Sequence, residues 1–268
     1  MSIGYRLAEF GLERVEAGRS TFLPEDRRHP AWLEYAAWRA AGHSVTAAPA
    51  HPAFPASGPP KRLWIIGAGG FGREVFGAAQ SALGRGTDWE FAGFLNDIKD
   101  ALDRFPEFPR IAAGTDYQPQ EDDVFACAIG EMPGRRDVCE KFRARGARFV
   151  NLIQPMACLS PSATLGEGVI VEAMTGIGAG AHIGDFSTVL SHANIGHDAR
   201  LGAYVAVAPF AAILGRTVIG DGVTIGCHAV VLPDLKIGPG ATIGAGSVVL
   251  RDVPPGATVF GVPAMRIK

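Results

Sequence analysis

His197 and Asp198 are adjacent in the run Ile195-Gly196-His197-Asp198-Ala199-Arg200. An imidazole titrates nearer neutral pH than any other side chain, and a carboxylate beside it can fix its tautomer and stabilise the imidazolium that forms. The pair is suited to take a proton from an attacking amine or hydroxyl, a contribution of ~10²–10⁴-fold to rate. Taken alone, His197 has a plainer reading as a histidine on a solvent face. A second cluster, Gly67-Ala68-Gly69-Gly70-Phe71-Gly72, has the spacing that lets backbone approach a phosphate at a helix amino terminus. Leu63–Ile66 before it reads as a buried strand, and about Phe71–Leu83 after it as a helix ended by Gly84. NAD ranks second to a single nucleotide diphosphate here. Only about ninety residues are available, roughly half a full dinucleotide fold, and no domain for hydride transfer follows.

The remaining candidates for chemistry are weaker. His192 lies five residues before His197, and His182 and His228 fall in the same region. Trimeric β-helices of the γ-class carbonic anhydrase kind hold zinc with three histidines. Their third ligand would fall where this chain has Met156, and no histidine occurs between His51 and His182, so no metal is expected. Cys127, Cys139, Cys158 and Cys227 are scattered without a C-x-x-C pair, which excludes a zinc knuckle and a disulfide framework and leaves them as packing residues. A net charge of −2 over 268 residues gives no basic surface for nucleic acid and no polybasic membrane anchor. No run reaches the ~18–20 apolar residues of a membrane span, and the amino terminus carries charges where a signal peptide needs an apolar core. A reducing cytoplasm is the expected compartment.

The elements that must position these residues follow from a six-residue ruler. From Leu159 to Val249 every sixth residue is Leu, Ile or Val, sixteen in register, and glycine follows nine of them. Such a period marks a solenoid whose coils bury their apolar faces only by stacking. A β-sandwich would alternate with period two and vary in spacing. Three hexads close a coil of eighteen residues, so Gly215 stacks on His197 at the strand spacing of ~4.8 Å. Small or polar residues are expected at the corners.

Residues 61–153 read as a small α/β domain. It has strands at Leu63–Ile66, Glu90–Leu95 and Val124–Ile129 and a second helix at about Gly134–Arg145, capped by Gly146. Alternating strands and helices imply a parallel sheet with ligands at its carboxyl ends. Residues 154–268 form the β-helix. Residues 1–43 form an appendage with a hairpin turning at Ala17-Gly18 and one helix from Pro30 to Gly42. Residues 44–60 hold five prolines and read as a stiff linker.

The hexad pattern resembles the hexapeptide-repeat transferases, which implies a left-handed parallel β-helix and a homotrimer. The order of glycine loop, FVNLI-x-P-x-A-x-LSPSA (Phe149–Ala163) and coils looks like the sugar acetyltransferases related to sialic acid O-acetyltransferase, including those acting on nucleotide-linked 4-amino-sugars. The resemblance implies acetyl-CoA as co-substrate in the groove between two β-helices, and a nucleotide-linked or sialic-acid-like acceptor. Gly67, Gly69, Gly70 and Phe71, with Gly130, would hold the diphosphate, and Asn96 and Asp97 would meet the base. His197 would act as base, oriented by Asp198, and the Gly215 N–H would hold the thioester oxygen. The ending Phe260-Gly261-Val262-Pro263-Ala264 is typical of these enzymes, and Arg266 and Lys268 would contact coenzyme A phosphates. Some members of the group carry a histidine at Phe71, members with a well-defined amino-sugar activity often carry glutamate at Gly196 and a second histidine at Ala206, and the family's lysine is Met265 here, so N- and O-acetylation both stay open. Residues 1–43 resemble short modules of phage tail proteins, which implies a rival reading as a virion-attached structural trimer.

Overall fold

The computed structural model describes residues 59–267, together with 3–8, 11–16, 19–22, 35, 37, 40–41 and 46–47 of the first 58. The chain divides into two compact units, Met1–Ser57 and Gly58–Lys268.

In the first unit β1 (Ile3–Ala8), β2 (Gly11–Glu16), β3 (Arg19–Phe22) and β4 (Thr46–Ala47) form one sheet in the order β3-β2-β1-β4. The expected hairpin is present, with Glu16 opposite Arg19 across Ala17-Gly18. Two strands were not foreseen. β1 pairs antiparallel with β2, and β4, inside the expected linker, pairs parallel with β1. Tyr35, Ala37 and Ala40 are helical, and the Ala41 N–H donates to the Ala37 carbonyl at 3.0 Å. The rest of the expected helix, from Pro30, and most of the linker lie outside the described residues.

The second unit opens with β5 (Lys61–Ile66), α1 (Gly70–Ser81), β6 (Trp89–Leu95), β7 (Ile111–Ala113), β8 (Asp123–Cys127) and α2 (Met132–Ala144). The strands form a parallel sheet in the order β7-β6-β5-β8. β7 escaped the sequence reading because three residues beside a proline carry no measurable period. Leu63, Ile65, Phe94 and Val124 pack with α1 on one side, and Ile66, Leu95, Phe125 and Phe142 with α2 on the other. Asp123, with a buried side chain, pins the sheet edge. Burial pushes its carboxyl up, but bonds from Trp64 Nε1, the Gln120 N–H and the Tyr117 hydroxyl, with the Arg62 charge, hold it below the ordinary value.

The coils follow the ruler. Strands of two residues pair parallel at a spacing of eighteen, as in Asn194↔Ala212 and Ile195↔Ile213, and build the three sheets of a left-handed β-helix. Val171, Ile183, Val189, Leu201, Val207, Ile213, Ile225 and Ile243 are almost wholly buried in one continuous core. Cys158 corrects the expectation of cysteine as packing. It occupies the outward residue of its strand and is exposed, as is Cys227, while Cys127 and Cys139 are buried.

The corners depart from expectation. From Gly168 to Gly246 each hexad turns on the residue three after its aliphatic one, in the left-handed region. Besides glycines and the aspartates Asp198 and Asp234, this position holds Met174, Phe186, His192, Tyr204, Phe210, Arg216 and His228, with φ between 56° and 63°. Such a conformation costs a non-glycine residue about 1–2 kcal/mol. The offset is stacking between coils. Phe186 lies on Tyr204 at 5.2 Å, and His192, Phe210 and His228 form one column at 4.6 and 4.8 Å.

The α/β domain packs on the corner of Phe186 and Tyr204. Arg143 lies over the Phe186 ring at 4.7 Å and pairs with Glu167 and Asp185. The fully buried Arg135 donates to the carbonyls of Gly130 and Phe186, both at 3.1 Å. That arginine ties the end of β8 to the β-helix.

Candidate active site

His197 leaves its sheet after Ile195, and Asp198 takes the left-handed corner with φ 59°. Aspartate tolerates this conformation better than most residues. The turn brings its carboxylate back to its neighbour, and His197 Nδ1 lies 2.8 Å from Asp198 Oδ2. With Nδ1 engaged, Nε2 is the atom left for proton transfer. It lies over Gly215, where an added Cβ would sit 2.5 Å from it. The expected stacking of Gly215 on His197 is therefore present as a ring-on-glycine contact. The Gly215 N–H donates to no described residue. Both side chains are more than half exposed, 56% for His197 and 61% for Asp198.

The other histidines are occupied otherwise. His182 Nδ1 meets Thr164 Oγ1 at 2.9 Å, while His192 and His228 stack on Phe210 at a different corner from His197. Among the described residues no group of three or more His, Cys, Asp or Glu could hold a metal ion.

At the carboxyl end of β5 the glycine loop has its expected shape. Gly67 has φ 100°, and its N–H donates to Leu95 O at 2.9 Å, while a Cβ on Gly72 would run into Gly67 O. Gly69 caps α1, and a Cβ on Gly69 or Gly70 would meet nothing within 4 Å, so the turn is open on its outer side. Phe71 is half-buried, and Gly130 lies beside it, where an added Cβ would sit 3.8 Å from the Phe71 Cβ. Asn96 and Asp97 follow β6. The Asn96 amide donates to Ile98 O at 2.9 Å. The Asp97 carboxylate receives the Thr115 N–H at 2.7 Å and the Thr115 hydroxyl, bonds that hold its carboxyl below the ordinary value. Both of its oxygens are thus engaged within the chain, and Asn96 Oδ1 is the more available acceptor. Arg266 is exposed on the last strand, paired with Val259, and Lys268 lies outside the described residues.

Residues 62–142 match the family described as PglD N-terminal domain, and residues 216–251 match bacterial transferase hexapeptide (six repeats). The acetyltransferase domain of PglB from Neisseria gonorrhoeae, solved with acetyl coenzyme A, is 34% identical with a TM-score of 0.70, over 78% of this chain and 100% of that one. The chain belongs to the hexapeptide-repeat sugar acetyltransferases. PerB from Caulobacter crescentus, solved with CoA and GDP-perosamine, is 31% identical over 77% of this chain and 97% of that one, with a TM-score of 0.69. WeeI from Acinetobacter baumannii, at 24% identity over 76% of this chain and 99% of that one, with a TM-score of 0.65, shares the fold. No curated protein matches. Both family matches begin after residue 61, and nothing supports the resemblance of residues 1–43 to phage modules. No helix of the described residues is long and apolar enough to cross a membrane.

Within this sugar acetyltransferase, Gly196 faces the next coil directly. A Cβ there would lie 2.5 Å from Gly215 N and 2.7 Å from Leu214 C, so these coils stack too closely for a side chain. Two arginines escaped the sequence reading. Arg73 sits in the first turn of α1, where a cation opposes the helix dipole and no acidic residue offsets it. Its guanidinium lies 3.6 Å from the centroid of the Phe105 ring, and its buried Nε has no hydrogen-bond partner. A basic residue directly after a phosphate-binding loop was the available signal. Arg216 follows Gly215, and only the eighteen-residue coil shows that it neighbours Asp198.

Proposed function

We propose that the protein transfers acetyl from acetyl-CoA to an amine or hydroxyl of a nucleotide-linked sugar destined for a surface glycan, with His197 as general base. The observation that carries this is His197 held at Nδ1 by Asp198, with Nε2 over a glycine whose N–H is unused. The attacking nitrogen or oxygen gives its proton to Nε2 as it bonds to the thioester carbonyl carbon. The Gly215 N–H stabilises the oxyanion that develops, and the intermediate collapses by expelling the coenzyme A thiolate. Asp198 keeps the imidazole in the tautomer that accepts at Nε2 and stabilises the imidazolium.

The acceptor would bind with its diphosphate at Gly67, Gly69 and Gly70, beside Gly130, and its base towards Asn96. Arg73 would supply the positive charge its own environment leaves uncompensated. PerB, solved with CoA and GDP-perosamine, supports an acceptor of this class. The α/β domain packs on the corner of Phe186 and Tyr204, whereas His197 and Asp198 stand at a different one. This supports a homotrimer in which the sugar reaches the histidine of a neighbouring protomer.

The test is thiol release from acetyl-CoA with a panel of nucleotide-linked amino-sugars. For the accepted substrate, His197→Ala is expected to lower kcat at least ~10²-fold with the oligomer intact. Near-normal turnover in that variant would remove His197 from the mechanism.

A further inference from the structure

The corner bearing the catalytic pair is a column of left-handed residues, one per coil: Gly180, Asp198, Arg216 and Asp234, with φ of 68°, 59°, 61° and 64°. Glycine suits this conformation and aspartate tolerates it, but arginine does not favour it. Arg216 is kept there against that preference. Its backbone is stitched to the site, since its N–H donates to His197 O at 2.9 Å, and the Asp234 N–H donates to Gly215 O at 3.1 Å. Its guanidinium grips Asp234 in a two-point fork, Nε to Oδ1 at 2.6 Å and Nη2 to Oδ2 at 2.7 Å. Such a fork sets the plane of the guanidinium as well as its position. The result is an alternating ladder of carboxylate, guanidinium and carboxylate along the edge that carries His197 and Gly215.

These charges act on one another. Arg216 is held more firmly protonated, first by its bond to Asp234 and also by the charge of Asp198. Asp234 is held ionised, first by Arg216 and in smaller part by a positive charge on His197. Coupling between charges is mutual, so Asp234 and Arg216 bear on His197 with opposite charge. The groups facing His197 are Asp198 on its own coil and Gly215, Arg216 and Asp234 on the coils after it. The coil before contributes Gly178 and Gly180, which carry no charge.

We propose that Arg216, clamped by Asp234, is a positioning residue for acetyl transfer. It balances the charge around the His197–Asp198 pair and holds the corner that presents the Gly215 N–H. The inference rests on His197 being the base, and the test separates the two. The pH dependence of kcat/KM is measured for Arg216→Gly, Arg216→Lys, Asp234→Asn and the double variant Arg216→Gly/Asp234→Asn. Glycine is native to this column at Gly180, so Arg216→Gly keeps the fold. In parallel, His197 is titrated by NMR in histidine-labelled protein, its signal assigned by its loss in His197→Gln.

Unit charges one or two coils apart in a water-like dielectric move a titration midpoint by about 0.3–0.6 of a pH unit. The midpoint is expected to rise by that amount in Arg216→Gly and fall by it in Asp234→Asn. It should return towards wild type in the double variant and hold in Arg216→Lys. A residue that merely braced the corner would not move the two single variants in opposite directions. Unmoved midpoints, or shifts of the same sign, overturn the role given to Arg216. The NMR midpoints decide this even if turnover proves independent of His197, an outcome that would remove only the base assignment.

Discussion

Replacing Gly215 with alanine puts a methyl carbon 2.5 Å from His197 Nε2, 2.8 Å from Cε1 and 2.9 Å from Cδ2. Favourable contact between such atoms needs ~3.5 Å, so the ring must retreat by about 1 Å. It can do so, because the His197 side chain is 56% exposed and no backbone atom lies among the three nearest neighbours of the new methyl. The cost is an imidazole pushed off its rotamer, about 0.5–1.5 kcal/mol, which lowers Tm by only a few degrees in a unit of this size. Catalysis suffers far more. The retreating ring either leaves Asp198 or carries Nε2 away from the nucleophile, and a misplacement of ~1 Å costs about 10²-fold. Gly196→Ala is the control. Its methyl meets Gly215 N at 2.5 Å and Leu214 C at 2.7 Å, backbone atoms that cannot swing aside, so it is expected to lose stability by about 1–3 kcal/mol. Steady-state thiol release and thermal melts on both variants provide the measurement. If Gly215→Ala keeps kcat/KM within about threefold of wild type, or melts as early as Gly196→Ala, the ring-on-glycine reasoning is wrong.

Two further outcomes are expected. Arg73→Ala should raise KM for the nucleotide-linked acceptor about 10-fold or more, the worth of one bond to a charged group, leaving KM for acetyl-CoA unchanged. An unchanged acceptor KM would exclude it from the site. The Asp123 carboxyl, held below its ordinary value in the fold, contributes stability that is present above its unfolded pKa of about 4 and lost as pH falls through the folded value. Melts between about pH 2.5 and 7 should therefore show a drop below about pH 4 that Asp123→Asn flattens, and an equal drop in both proteins would count against the network.

Much of the site was legible because it is local or periodic. The glycine loop needs three residues at fixed spacing between a strand and a helix, and all of that lies within one stretch of chain. His197 and Asp198 are neighbours, and Gly215 follows from the period of eighteen. Arg73 was passed over because its significance depends on what it lacks, a partner for Nε, and on a Phe105 ring thirty-two residues away. Asp97 looked available for a ligand because nothing nearby in sequence announces Thr115 as the group that engages it.

The sixteen aliphatic hexads alone determined a β-helix, since a strict period of six buries one residue per side whatever the others are. They did not determine which residues could turn its corners. Phe186, Phe210 and Arg216 occupy a backbone conformation that their own preferences oppose, and each is held by a partner one coil away: Tyr204, the flanking histidines and Asp234. Sequence sets the spacing at which such partners meet. Only the stacked coils decide whether the meeting yields enough contact to outweigh backbone strain, because that contact does not exist until the coils close.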